Sequence, residues 1–310
     1  MKNGLLCAIG LGGQSVFLSV DHFHAPGETL HADHLYTEPG GKAYNQIVAA
    51  SRLGTRSLFV GAVGKDENAA ICRDFLRREG VACELMESEQ SGTAYACILT
   101  DAAGDNRVTV YRGAADELSA EFIRSKRALL EQCTMFLFGL ECPLEATLAA
   151  LEIAKATGAY TILNPAPARK LELSLLRRFD LITPNAQEIC ELLNVSDAVP
   201  RELCAALREA GLDRAVVTLG SEGALLWENG CARLFPAIRR RTLDTTGAGD
   251  CFNAALASAL TKGKALVQAV EFAVNASALS VTKAHVMGSL PTLDEVLENY
   301  KKLAPEIIEL

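Results

Sequence analysis

The chain has 310 residues, 49% of them hydrophobic and 22% charged, which fits a globular protein of one large α/β domain or two smaller ones. A formal net charge of −8 leaves no basic excess to neutralise a nucleic-acid backbone, so that class of partner is set aside. No stretch reaches the roughly 20 apolar residues of a membrane helix, no leader pattern follows Lys2, and the ten cysteines form no C-x-x-C pair, so a cytoplasmic protein without a zinc ribbon or redox dithiol is expected.

In chain order, residues 5–9 read as a short buried strand running into glycines. Strands are expected at 16–20 and 30–36, divided by the turn Ala25-Pro26-Gly27. Gly40-Gly41-Lys42 opens a helical pattern at 45–53, followed by a strand at 58–63 and a helix at 68–78. Residues 94–100 and 107–111 form a β-hairpin around Ala103-Gly104-Asp105. Strands at 135–138, 160–163, 181–183 and 215–218 then alternate with helices at 144–157, 186–193 and 201–210, and a last apolar helix covers 254–260. Such alternation predicts a mostly parallel central sheet in a three-layer α/β/α sandwich. The β-rich pieces at about 13–38 and 94–112 interrupt it and are read as a small β-sheet lid over the ligand edge of a single domain spanning 1–310.

Two glycine motifs fail on their own chemistry. Gly10-Leu11-Gly12-Gly13 hints at a dinucleotide fingerprint, but Ser15 stands at the third glycine and the following residues look strand-like rather than helical. Gly41-Lys42 resembles the end of a P-loop, but Ala43 stands at the metal-binding Ser/Thr position and Tyr36 at the first glycine. His22, His24, His31 and His34 cluster with Asp21 and Asp33, but on lid residues whose alternate side chains face solvent.

The run Asp244-Thr245-Thr246-Gly247-Ala248-Gly249-Asp250 carries the chemistry. A glycine-rich turn opening into a helix presents free N–H groups and a positive dipole end, an anion site suited to a phosphoryl group. A carboxylate beside an anion site is wasteful unless it removes a proton, so phosphoryl transfer with Asp250 as base is the economical reading. Thr183-Pro184-Asn185 with Glu188 follows a strand and opens a helix; Asn185 and Glu188 are either a capping box or a pair that orients water around Mg²⁺, and the two roles are compatible. Thr218-Leu219-Gly220-Ser221-Glu222-Gly223 leaves a strand as either a phosphate-contacting loop or a hairpin turn. Asn164, in Asn164-Pro165-Ala166-Pro167-Ala168, is equally a site residue or a turn residue.

These segments, with Pro26-Gly27-Glu28-Thr29, Gly40-Gly41-Lys42 plus Asn45-Gln46, and Gly288-Ser289-Leu290-Pro291, resemble over nearly the whole chain the ribokinase-like carbohydrate kinases of the phosphofructokinase-B type, and within them the ribokinase pattern. The resemblance implies an ATP-dependent phosphotransferase acting on a hydroxyl of a sugar-like substrate. It implies Asp250 as general base, with Gly247, Ala248 and Gly249 as the anion hole. Gly41, Lys42, Asn45 and Glu141 match sugar-contacting positions. Thr218, Gly220, Gly223 and Asn275 match the nucleotide site, the last with the segment up to His285 near adenine. Asn185 and Glu188 would serve Mg²⁺ through water, and Asp244, Thr246 and Ser289 match a loop that holds a monovalent cation such as K⁺. Lid strands in this family often pair between subunits, so a homodimer through the lid is implied, with Phe17, Leu18 and Phe23 on the face to be covered.

The chain departs from the pattern at Gly13 and Ser15, where ribokinases carry an Asn and an Asp that bind sugar hydroxyls. Loss of a charged acceptor should redirect specificity rather than merely weaken binding. Ala43-Tyr44 replaces the usual Gly-Ala; Tyr44 is either an aromatic wall of the pocket or a core residue. Nucleosides are the rival substrate class, and a non-catalytic metabolite sensor is the rival function.

Overall fold

The computed structural model describes residues 4–308, so Lys2 lies outside the described residues. Fourteen strands are present among them: β1 Leu5–Ile9, β2 Gly13–Ser19, β3 His34–Gly40, β4 Arg56–Val63, β5 Ala82–Glu87, β6 Ala94–Thr100, β7 Asn106–Tyr111, β8 Met135–Phe138, β9 Tyr160–Leu163, β10 Leu181–Ile182, β11 Arg214–Thr218, β12 Ala224–Glu228, β13 Cys231–Phe235 and β14 Glu306–Ile308. Ten form one sheet in the order β14-β13-β12-β11-β10-β9-β8-β1-β4-β5. It is parallel from β11 to β5, and β12, β13 and β14 add an antiparallel edge. The remaining four, β3-β2-β6-β7, make a separate small sheet.

Successive side chains of a strand point to opposite faces, and β1 feeds a core on each. Leu6 and Ala8 join Phe59 and Val216 under the helices Lys42–Arg52, Ala248–Thr261 and Leu266–Ser280. Cys7 and Ile9 join Leu58 and Val60 under Leu144–Thr157, Ala186–Leu193 and Pro200–Glu209. Two covered faces give the α/β/α sandwich that the alternation predicted.

Three departures from the sequence reading have physical causes. The strand expected at 30–36 is β3, His34–Gly40, because antiparallel pairing of Gly13 with Gly40 through Ser19 with His34 sets the register, whatever the apolar run suggests. Polar Glu38 and the following Pro39 and Gly40 are buried there by closure against the body. The hairpin β12–β13 and the helix Leu266–Ser280 give no clear periodic signal, since β12 is buried on both faces and the helix exposes only Gln268.

β1 lies between β8 and β4, so the chain order reverses at that point and leaves a crevice at the C-terminal strand ends. The segments after β1, β8, β9, β10 and β11 all open onto that edge, and the small sheet leads off it through Gly13.

Candidate active site

Two cavities meet at the crevice. The inner one, about 190 Å³, is lined by Lys42, Asn164, Asn185, Glu188, Gly249, Asp250 and neighbours. The outer cleft, about 890 Å³, runs from Asn185, Thr218 and Gly249 to apolar walls at Ile238, Val274, Ala278 and Val281.

Asp250 sits in the first turn of the helix Ala248–Thr261, with its carboxylate on the inner cavity. Asn45 Nδ2 donates to Asp250 Oδ2 at 2.8 Å and Gln46 Nε2 to Oδ1 at 3.0 Å. The same Gln46 nitrogen donates to Asn164 Oδ1 (3.0 Å), and Asn164 Nδ2 donates to the Thr183 carbonyl (2.8 Å). This chain of amides ties the carboxylate to the ends of β9 and β10 and fixes its orientation. Burial pushes the Asp250 carboxyl above its ordinary range, against the Lys42 charge and the two amides, which makes it a better base. Lys42 is held protonated chiefly by Asp250, then by Glu141 and Glu188.

The anion hole is set by Gly247, whose φ of 78° caps the helix in the left-handed region. A side chain there would meet Val286 Cγ1 at 2.7 Å. The main-chain N–H groups of Gly247, Gly249 and Asp250 have no protein acceptor among the described residues. Ala248 differs from the sequence expectation. Its N–H donates to the Thr245 carbonyl at 3.1 Å, so the turn itself consumes that donor and Asp250's own amide replaces it.

Asn185 and Glu188 form a complete capping box: Glu188 N–H donates to Asn185 Oδ1 and Asn185 N–H to Glu188 Oε2, both at 2.8 Å. Glu188 Oε1 remains uncommitted among the described residues, and both residues line the inner cavity. Burial raises the Glu188 carboxyl. Thr218, Gly220 and Gly223 line the outer cleft. Gly223 is also demanded by packing, since a Cβ would lie 1.9 Å from the Phe235 carbonyl oxygen. Loop and hairpin readings of this turn are therefore both realised, β11 pairing antiparallel with β12.

The predicted sugar positions converge next to Asp250. Gly41 (φ 120°) passes 2.3 Å, in Cβ terms, from the Leu11 carbonyl, a contact only glycine permits. Glu141 Oε2 accepts from the Ala43 N–H at 3.3 Å, and burial pushes its carboxyl up to about 7. Asn45 Oδ1 is buried without a donor and lies beside Gly40 and Ser15, where a substrate hydroxyl could supply one. Gly13 is required by the lid, because a Cβ would clash with the Ala94 carbonyl at 2.2 Å.

Four expectations are corrected or resolved. Asn275 does not line the cleft: its amide donates to the Glu271 and Lys301 carbonyls and accepts from Lys301 N–H, so it pins the C-terminal segment while Val274, Ser277 and Ala278 face the cavity. Tyr44 is fully buried, with its hydroxyl on the Cys72 carbonyl at 2.7 Å and its ring against Phe59, so it belongs to the core. Asp244 accepts the N–H groups of Thr246 and His285, one on each carboxylate oxygen, and Ser289 donates to the Val286 carbonyl, so both side chains are anchored within the loop. The exposed large apolar residues of the small sheet are Leu35, Tyr36, Tyr95, Val108, Val110 and Tyr111, while Phe17, Leu18 and Phe23 are half-buried.

Sequence reasoning missed Gln46 and Glu38. Gln46 follows Asn45 in an otherwise apolar helix, a signal that was available. Glu38 accepts from the Val286 and Met287 N–H groups at 2.8 and 2.9 Å, joining the lid to the turn that backs Gly247, and nothing local in the sequence marks it.

A glycine-capped helix with free amides, a buried carboxylate beside it and an adjoining half-apolar cleft together define a phosphotransferase with separate donor and acceptor compartments. The sequence matches the pfkB family of carbohydrate kinases over residues 5–293. It is 34% identical over 285 residues to a ribokinase of Haemophilus influenzae, covering 91% of this chain and 93% of that one. The structure superimposes on a Thermotoga maritima ribokinase with a TM-score of 0.87 at 31% identity, covering 95% of this chain and 98% of that one. It superimposes on an Arabidopsis thaliana ribokinase complexed with ribose and ATP with a TM-score of 0.90 at 24% identity, covering 96% and 99%. The chain belongs to the pfkB family and is an ATP-dependent carbohydrate kinase.

Proposed function

We propose that this kinase transfers the terminal phosphoryl group of ATP to a hydroxyl of a sugar-like substrate in the inner cavity, with Asp250 as general base. The observation that carries the reading is the pairing of an oriented, buried carboxylate with the free N–H groups of Gly247 and Gly249 on one cavity wall. As the substrate oxygen bonds to the γ-phosphorus, its proton passes to Asp250 and the bond to the ADP oxygen breaks. The amides of Gly247, Gly249 and Asp250 take up charge on the transferring group, and Lys42 balances Asp250. Thr218 and Gly220 border the phosphates, and the Ile238, Val274 and Ala278 walls suit an adenine ring.

The uncommitted oxygen of Glu188 and the oxygen-rich cavity fit Mg²⁺, which prefers oxygen donors and retains its waters. Asn185 and Glu188 would hold it through those waters, and the ion would neutralise phosphate charge. A monovalent cation fits the loop of Asp244, Thr246 and Ser289 largely through main-chain oxygens, where it would stiffen the anion hole. The apolar lid face suits a homodimer in the cytoplasm, where ten unpaired cysteines stay reduced. Light scattering should return twice the chain mass, and Val110→Lys should return the monomer; a monomeric wild type at micromolar concentration removes the dimer.

Asp250→Asn tests the mechanism. It keeps the fold and lowers kcat by about 10²–10⁴-fold. Turnover near wild type would remove the base from Asp250. The intact catalytic constellation speaks against a sensor, and the burial of Tyr44 takes away the aromatic wall that favoured nucleosides.

A further inference from the structure

Buried polar atoms without partners mark where a ligand completes a site. Seven such side-chain atoms occur among the described residues, and four are guanidinium nitrogens on three arginines: Arg112 Nε, Arg169 Nε, Arg169 Nη2 and, at the outer cleft, Arg240 Nε. A buried N–H without an acceptor costs about 1–3 kcal/mol, so the nitrogens of Arg112 and Arg169 left this way call for an acceptor.

Both arginines lie on segments that meet residues 139–142, which include the predicted sugar position Glu141. Arg112 directly follows β7 of the lid, and its Nη2 donates to the Glu141 carbonyl and pairs with Asp116, both at 2.8 Å. Arg169 lies on the segment after β9, which runs along residues 139–142 because Leu140 N–H donates to the Ala166 carbonyl at 2.9 Å. The positive charges of both arginines bear on the buried Cys142 thiol. Glu141 lies between them and the catalytic end, with one oxygen on the Ala43 N–H next to Lys42. A path thus runs from Asp250 past Lys42 and Glu141 to Arg112 and Arg169.

The local countercharges leave this end cationic. Asp116 is more than half exposed and engages only Nη2 of Arg112. Burial keeps Glu141 substantially protonated near neutral pH. The lid strand β2 contributes glycine at 13 and serine at 15, with no carboxylate. A guanidinium is a planar fork of donors matched to a carboxylate or phosphate, and such charged bonds are roughly twice as strong as neutral ones.

We infer that the substrate is an anionic sugar, bearing a carboxylate or a phosphate at the end remote from the hydroxyl on Asp250, and that Arg112 and Arg169 receive that group. This rests on the kinase reading of the cleft and narrows its substrate class.

ADP release is measured with D-glucose, D-gluconate and D-glucose 6-phosphate, and with D-ribose, D-ribonate and D-ribose 5-phosphate. At least one anionic member should exceed its neutral parent in kcat/KM by ~10²-fold or more, because donors left unpaired discriminate strongly. The carboxylate and phosphate arms separate the two sources of charge. Arg112→Met and Arg169→Met should lower kcat/KM for the anionic substrate about 10-fold more than for its neutral parent, with the KM for ATP little changed. Arg112→Lys, which keeps the charge and loses the fork, should fall between. A neutral sugar as the best substrate, or variants that depress both members of a pair equally, overturns the inference. If none of the six is turned over, the substrate lies outside both series. Calorimetric titration with gluconate and glucose 6-phosphate then decides: binding that Arg112→Met abolishes upholds the anion site, and absent or unaltered binding removes it.

Discussion

Replacing Glu38 by alanine should damage both stability and turnover through a single turn. Glu38 is 4% exposed and accepts two main-chain N–H groups, from Val286 and Met287, at 2.8 and 2.9 Å. Hydrogen bonds to a charged acceptor contribute about 1.5–3 kcal/mol each, and truncation strands both donors in the interior. Removal also relieves the desolvation that pushes the Glu38 carboxyl up, which offsets part of the loss. A net cost of about 2–4 kcal/mol follows, or a fall in Tm of ~4–8 °C at about 2 °C per kcal/mol for a chain of this size. The kinetic effect comes from Val286, which occupies the space a Gly247 side chain would need. Loosening the turn lets the anion hole drift, and small misplacements of preorganised donors are expensive, so kcat should fall ~10-fold or more while the KM for ATP moves little. Glu38→Gln, which keeps one acceptor oxygen, should recover about half of the stability loss. Thermal unfolding and steady-state ADP release measure both. A Glu38→Ala protein that melts within ~1 °C of wild type and turns over within about two-fold would refute the coupling of lid, turn and anion hole.

Gly247→Ala should lower kcat by about 10²–10³-fold with a smaller change in KM, since the added methyl meets Val286 and displaces donors aimed at the transferred group; an active variant would place the anion hole elsewhere. The titration of Glu141 has a definite sign. Its carboxyl titrates near 4.5 unfolded and at about 7 folded, so the folded state retains a proton that the unfolded chain releases. Stability therefore declines as pH rises from about 4.5 to about 7, by up to roughly 3 kcal/mol. Glu141→Gln, always neutral, should lose that slope and be the more stable protein above about pH 7, in urea denaturation repeated across pH. A wild-type-minus-variant difference that is flat with pH would contradict it.

Local patterns carried most of the fold and the centre of the site. Alternating strand and helix lengths announced a covered parallel sheet, and the turn Gly247-Ala248-Gly249-Asp250 announced a helix start with free N–H groups beside a carboxylate, because short-range geometry dictates both. Contacts distant in sequence stayed hidden. Gln46 reaches Asp250 across 204 positions and Glu38 reaches Val286 across 248, and no local rule pairs them. Ambiguities between core and pocket also required the folded chain. Tyr44 and Asn275 carry polar groups that could serve a ligand, yet one hydroxyl ends on Cys72 and one amide on Lys301.

The order of residues alone determined the layered sheet and the glycine-capped helix that carries Asp250, since each follows from backbone propensities and hydrophobic period within a few turns of chain. Tertiary structure decided which donors remain unfilled. Ala248's amide is taken by its own turn, while Nε of Arg112 and Nε and Nη2 of Arg169 are left without an acceptor. The physical reason is that satisfaction of a buried polar group depends on what every other packed segment brings to it, a property of the whole fold rather than of any stretch.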